Sequence, residues 1–227
     1  MPPIRLDKGV RIVIPAYNAG QSLGPLLLEI ERHVPARQII VVDDGSSDHT
    51  AAAAQAKHCE LVRHSRNQGK GAAIQSGLRV AFADHRVCAC VLMDADGQHE
   101  AQFIPRFLAA IEAQQGDLII GRRTLNPRVM PWPRVLSNRM SSALLRVKLR
   151  MPVFDSQCGY RAITRRAFEG IALESAGFDA ETEILIKVAR AGFSIAWLPI
   201  STVYNRESSH IRGFRDTWRF IKAWARF

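Results

Sequence analysis

The 227-residue sequence contains no run of about 18 apolar residues, so no segment of it reads as a membrane-spanning helix. Its opening stretch, MPPIRLDKGV, holds no apolar core of the signal-peptide kind, and the expected location is the cytoplasm. Cysteine is scarce. Cys59, Cys88, Cys90 and Cys158 include no C-x-x-C pair and no zinc-ligand spacing, which suits reduced thiols. Two nucleotide signatures are missing. No G-x-G-x-x-G follows the first strand, since Gly69-Lys70-Gly71 runs on to Ile74 where a third glycine would stand, and no G-x-x-x-x-G-K-[ST] occurs. Dinucleotide oxidoreductases and P-loop enzymes are thereby disfavoured. Aromatics interleave with basic residues only near the end of the chain, and no recognised nucleic-acid motif is present, so no nucleic-acid partner is expected. No internal repeat or shift in composition marks a second domain.

Acidic residues are also unevenly placed. The net charge is +10, yet 122–150 holds eight basic residues and no acidic one. From Arg206 to Phe227 there are six basic residues and two acidic, which leaves the rest of the chain at about −2. Basicity concentrated in this way suits phosphate groups or an anionic lipid surface. At the end of the chain, Ile211, Phe214, Trp218, Ile221 and Ala225 share one ridge, and Arg212, Arg215, Arg219, Lys222 and Arg226 share another. This predicts a basic amphipathic helix over 211–227 that either lies in a membrane interface or packs on its own domain.

What is present is a rhythm of short apolar runs and longer helical patterns. Strands are predicted at Val10–Ile14, ended by Pro15, and at Gln38–Val42, Leu61–His64, Val87–Met93 and Asp117–Gly121, with helices between them. That alternation predicts an α/β fold with a mostly parallel sheet. Asp48 is placed to cap the alanine-rich helix from about His49 to His58. Further on, 122–133 reads as a proline-rich loop, Arg134–Leu149 and Ala180–Ala191 as helices, and Phe193–Leu198 as a strand.

Three strand ends carry polar clusters: Pro15-Ala16-Tyr17-Asn18, Asp43-Asp44-Gly45-Ser46 and Asp94-Ala95-Asp96-Gly97-Gln98-His99. Ligands of open α/β sheets gather at such ends. A lone D-x-D is more often turn and cap chemistry than a metal site. Here the three clusters together favour a nucleotide and a hard divalent cation, Mg²⁺ or Mn²⁺, held by the Asp94 and Asp96 carboxylates.

In this order and spacing, PAYN, VVDDGSSD, NQGKGAAIQSG and MDADGQH resemble the family 2 glycosyltransferases of the A-type fold. DSQCGYRAITRRAF and FDAETEILIKVARAGF resemble the branch that transfers a sugar to a polyprenyl phosphate, the dolichyl-phosphate glucose and mannose synthases. The resemblance implies one nucleotide-diphospho-sugar transferase domain over 1–210, with a donor-binding half to about 121 and an acceptor half over 122–210. It implies a UDP- or GDP-hexose donor, a lipid-phosphate or other lipid-linked acceptor, and an inverting, metal-dependent transfer at the cytoplasmic face of a membrane. Pro15, Ala16 and Tyr17 would line the base pocket, with Asp43 or Asp44 at base or ribose. Asn18, Lys70 and Ala95 complete the nucleotide-sugar set. Asp94 and Asp96 would hold metal and pyrophosphate, with Gln98 as a further oxygen ligand. Arg122 and Arg206 match the acceptor-phosphate arginines, and Arg134 and Ser137 are further acceptor candidates. A phosphate acceptor needs no general base; a hydroxyl acceptor would, and Asp179, Glu181 and Asp155 are the candidates. Two other possibilities stand beside this one: a nucleotidyltransferase, and a basic, non-catalytic nucleic-acid- or membrane-binding protein.

Overall fold

The computed structural model describes residues 9–124, 130–177, 179–201, 224, 226 and 227. The elements in chain order are β1 (Val10–Ala16), α1 (Gly20–Glu31), β2 (Ile39–Asp43), α2 (Thr50–Ala56), β3 (Glu60–Arg63), α3 (Lys70–Ala83), β4 (Ala89–Leu92) and α4 (Ile104–Glu112). After these come β5 (Leu118–Arg123), α5 (Trp132–Leu149), β6 (Arg161–Thr164), α6 (Arg165–Glu169), α7 (Ala180–Arg190) and β7 (Ile195–Ile200). They form one seven-stranded sheet in the order β3-β2-β1-β4-β6-β5-β7. Strand β6 runs antiparallel to both β4 and β5; the remaining pairs are parallel.

Strands β1, β2 and β4 are covered on both faces, which is why they read as unbroken apolar runs. The chain leaves β1 toward β2 on one side and returns to β4 on the other. The boundary between β1 and β4 is therefore the topological switch point, and the three polar clusters meet above it.

Several boundaries differ from the sequence expectation, for identifiable reasons. Pro15 does not end β1, which continues to Ala16. Pairing with β4 stops at Val13, so the side on which Pro15 lacks an N–H has no ladder left to complete, while pairing with β2 continues to Asp43. Asp48 is not the N-cap of α2; that position is His49. Its carboxylate instead serves two helix starts, accepting from Thr50 N on α2 and Gly20 N on α1. The last strand begins two residues later than expected, because Gly192 turns with φ of 78° before it. The short helix α6 was not anticipated; Thr164 caps it by accepting from Ala167 N. Of the C-terminal helix expected over 211–227, only Trp224, Arg226 and Phe227 fall within the described residues. Phe227 is buried, and Arg226 donates to Glu174 Oε2 at 2.6 Å.

Candidate active site

At the end of β1 the chain turns through Asn18, whose φ of 50° lies in the left-handed region that asparagine tolerates. Its N–H donates to Ser46 Oγ and its Oδ1 accepts from Ser47 N, so the first two strand-end loops are tied together. Tyr17 beside it is half exposed.

The two aspartates ending β2 have separate work. Asp44 accepts from Gln68 N and His64 Nδ1 on one oxygen and from Gly69 N on the other. It is the anchor of the loop before α3, and its acceptor capacity is largely taken up. Asp43 is fully buried; its Oδ1 accepts from Ser46 N. Its Oδ2 accepts no hydrogen bond, although Arg63 Nε lies 3.1 Å away, out of line. A buried carboxylate oxygen without a donor is costly, and a ligand N–H or O–H would satisfy it. A cavity of about 310 Å³ lies alongside, lined by Gly45, Ser46, Arg63, His64 and Ser65.

Asp94 follows β4. Its Oδ1 stands 2.5 Å from Lys70 Nζ at the start of α3, and Lys70 also donates to Glu181 Oε1 at 2.7 Å, in the first turn of α7. Burial alone would raise the Asp94 carboxyl, but the charge and hydrogen bond of Lys70, with the other basic groups around it, together outweigh that and hold the group down at about 2. Burial likewise disfavours the Lys70 ammonium, and the two carboxylates reverse that and push its pKa up. Gly159 permits this assembly: a Cβ there would come within 2.6 Å of Asp94 Oδ2 and 2.9 Å of Glu181 Oε1. Lys70 thus joins the end of β4 to the first turn of α7.

Asp96 is exposed at the cleft mouth, and its Oδ1 accepts from Gln98 N at 2.9 Å. The surrounding protein, and then the Asp94 charge, push its carboxyl up. A dication between the two carboxylates would relieve that repulsion. Among the described residues no group of three or more His, Cys, Asp and Glu is set to hold a metal ion. Asp94 and Asp96 are the two carboxylates here that could hold a hard divalent ion, since Mg²⁺ is usually bound by one or two carboxylates with water and phosphate oxygens. His99, absent from the sequence-derived set, is buried against Tyr160 and accepts from Asp94 N at 3.2 Å. Burial lowers its pKa, keeping the ring neutral. Ala95 is buried, and its carbonyl accepts from Ser22 Oγ.

Strand β5 ends in Arg122 and Arg123. Arg122 is exposed, its guanidinium 4.3 Å from the Phe154 ring centroid. Arg123, also absent from that set, grips Asp155 with Nε and Nη2 at 2.7 and 2.8 Å, and Asn138 Nδ2 adds a third contact. This corrects the expectation that Asp155 is a candidate base. Burial would raise its pKa, but the Arg123 guanidinium and Asn138 hold it below the usual carboxylate range, and no part of it faces solvent. Asp155 is a structural counter-ion. Ser137 accepts from Gln157 Nε2, Arg134 is half-buried in the first turn of α5, and Asp179 stands half-buried at the N-cap of α7. Arg206 lies outside the described residues.

The family model for glycosyl transferase family 2 matches residues 11–171. This chain belongs to glycosyltransferase family 2. Its relatives include an undecaprenyl-phosphate mannosyltransferase from Micrococcus luteus, 32% identical over 86% of this chain and 83% of the relative. A polyprenol monophosphomannose synthase from Mycolicibacterium smegmatis is 29% identical over 87% of this chain and 78% of its own length. Among solved structures, glucosyl-3-phosphoglycerate synthase from Mycobacterium tuberculosis, in complex with Mn²⁺ and UDP-glucose, superposes with a TM-score of 0.76. That match covers 95% of this family 2 chain and 77% of the other at 21% identity, a likeness of fold.

Proposed function

We propose that this family 2 glycosyltransferase moves a hexose from a nucleotide-diphosphate sugar to a polyprenyl phosphate, with inversion at the anomeric carbon. The observation that carries the donor side is the meeting, at one switch point, of the buried Asp43 oxygen that accepts no hydrogen bond and the Asp94/Asp96 fork. The polyprenyl-phosphate relatives carry the acceptor side. Asp43 and the loops around Asn18 receive the base, and the fork receives the pyrophosphate with its cation. A divalent ion supplies Lewis-acid stabilisation of the charge that develops on the leaving diphosphate. The acceptor phosphate oxygen attacks the anomeric carbon from the face opposite the breaking C–O bond, whose electron pair leaves with the nucleoside diphosphate. The acceptor oxygen is already anionic, so Asp179 and Glu181 need take no proton; Glu181 positions Lys70 instead.

The test is a screen of UDP- and GDP-hexoses against a polyprenyl phosphate, with Arg122→Ala beside the wild type. A charge-assisted contact from Arg122 to the acceptor phosphate is worth about 1.5–3 kcal/mol. Transfer should therefore slow by roughly 10- to 150-fold in the variant, while nucleotide-sugar affinity stays unchanged. Equal loss of donor affinity would move Arg122 to the nucleotide.

Lys70 gives a second test of the donor site. Its ammonium already occupies an Asp94 oxygen that a cation needs. In Lys70→Met, calorimetry should find Mn²⁺ alone bound about tenfold more tightly, the equivalent of one charge-assisted contact of about 1.5 kcal/mol. Affinity for the nucleotide sugar should fall. Unchanged Mn²⁺ binding would place the ion away from Asp94.

A further inference from the structure

Helix α5 is amphipathic the wrong way round for a helix of a soluble domain. At ~100° per residue, Val135, Asn138, Ser141, Ser142 and Leu145 share one side, and all five are buried. Three of them are polar, drawn inward by bonds to Asp155 and Ser156. The opposite side carries Trp132, Leu136, Met140, Leu144 and Val147, which are 68%, 50%, 56%, 42% and 78% exposed. Large apolar residues in one continuous ridge on the solvent face mark an interaction surface. Arg139 and Arg146 line one edge of this ridge, and Lys148 lies on the other, donating to the Trp224 carbonyl.

We infer that the outer face of α5 docks flat on an anionic lipid bilayer. The charge of the region decides the occupant. Helix α5 holds four basic residues and no acidic one, so a second copy of this chain docked on the same face would set like charges against like. The segment from Arg206 onward is itself net +4; its described residue Trp224 meets the C-terminal end of α5, donating to the Leu144 carbonyl and accepting from Lys148, and leaves the side chains of Leu136, Met140 and Val147 exposed. An anionic surface complements both. Apolar side chains entering the acyl boundary, with basic side chains at headgroup level beside them, are the recognised form of an interfacial helix. No helix among the described residues is long and apolar enough to cross a membrane, so α5 lies along the surface. Its length, about 27 Å for 18 residues, offers a long contact. The inner face of the same helix holds Asp155 and, through it, Arg123 at the end of β5. Docking α5 therefore brings lipid headgroups to the acceptor edge of the cleft. The inference rests on the lipid-phosphate acceptor proposed above and names the surface that presents it.

The experiment uses the full chain and co-sedimentation with vesicles of phosphatidylcholine, with and without phosphatidylglycerol. Wild type should pellet with the anionic vesicles, less so as salt rises, and remain in solution with the neutral ones. The variant L136Q/M140Q/V147Q should lose partitioning by at least ~10-fold, since binding scales with buried apolar area. These three side chains are exposed, so its thermal melt should match wild type; Trp132→Gln alone, expected to weaken binding several-fold, serves as the check if it does not. The variant should transfer sugar normally to a dissolved short-chain prenyl phosphate and poorly to one embedded in vesicles. Equal partitioning of variant and wild type, or equal binding to neutral vesicles, overturns the inference. So does a wild-type dimer in sedimentation velocity that the variant dissociates. If wild type transfers to neither acceptor but the partitioning contrast holds, the docking surface stands and the polyprenyl-phosphate acceptor falls.

Discussion

Asp96→Asn is expected to lower sugar transfer by roughly a thousandfold, about 4 kcal/mol of transition-state stabilisation, with no change in the melting curve. The side chain is exposed, and its contact with the protein is the bond that Oδ1 accepts from Gln98 N. Asparagine keeps an oxygen there and can make the same bond. What it loses is the negative charge that makes the Asp94–Asp96 pair a fork for a hard cation. The check is a transfer assay with Mg²⁺ or Mn²⁺ beside a thermal melt. Activity near wild type would remove Asp96 from the donor site.

Arg161→Met is expected to act on the fold instead. Arg161 is wholly buried in β6; its Nε, Nη1 and Nη2 donate to the carbonyls of Cys158, Glu181 and Ser156 at 2.6, 2.5 and 2.8 Å. Methionine fills much of the volume but leaves three buried carbonyls short of a donor, at about 1–3 kcal/mol each. A loss of about 3 kcal/mol in a chain of this size lowers the melting temperature by roughly 10 °C. Lysine at this position would keep the charge but lack the planar fork that reaches three carbonyls at once, and should rescue little. A melt of Arg161→Met within two or three degrees of wild type would show that water satisfies those carbonyls.

The contrast between these two residues explains what could be read from sequence. Strands β1, β2 and β4 are continuous apolar runs because both sheet faces are covered there, and their polar ends stand out sharply against them. Asp94 and Asp96 were legible for that reason. Arg161 was not: a strand of four residues headed by a buried arginine has no periodic signature, and its partners are backbone atoms. Asp155 looked like a spare carboxylate because nothing local in the sequence pairs it with Arg123, 32 residues earlier. Asp43 and Asp44 are neighbours of one residue type, and only the bonds around them tell acceptor from anchor. The period of α5 was visible, but period alone cannot say which side faces inward. The serines and Asn138, tied to Asp155 and Ser156, settle that.

The position of β6 bears on how the chain is made. Strands β3, β2, β1 and β4 can pair as soon as residue 92 has emerged, since their connections are local. Strand β5 follows in sequence, yet the place beside β4 belongs to β6, which arrives about 40 residues later and runs the other way. Until it does, β4 and β5 both present open hydrogen-bonding edges of apolar residues, and they could pair with each other in a register the finished sheet does not use. Synthesis at about 5–20 residues per second leaves that opening for some seconds. A chain halted before Thr164 would keep both edges bare, and bare apolar edges recruit other chains.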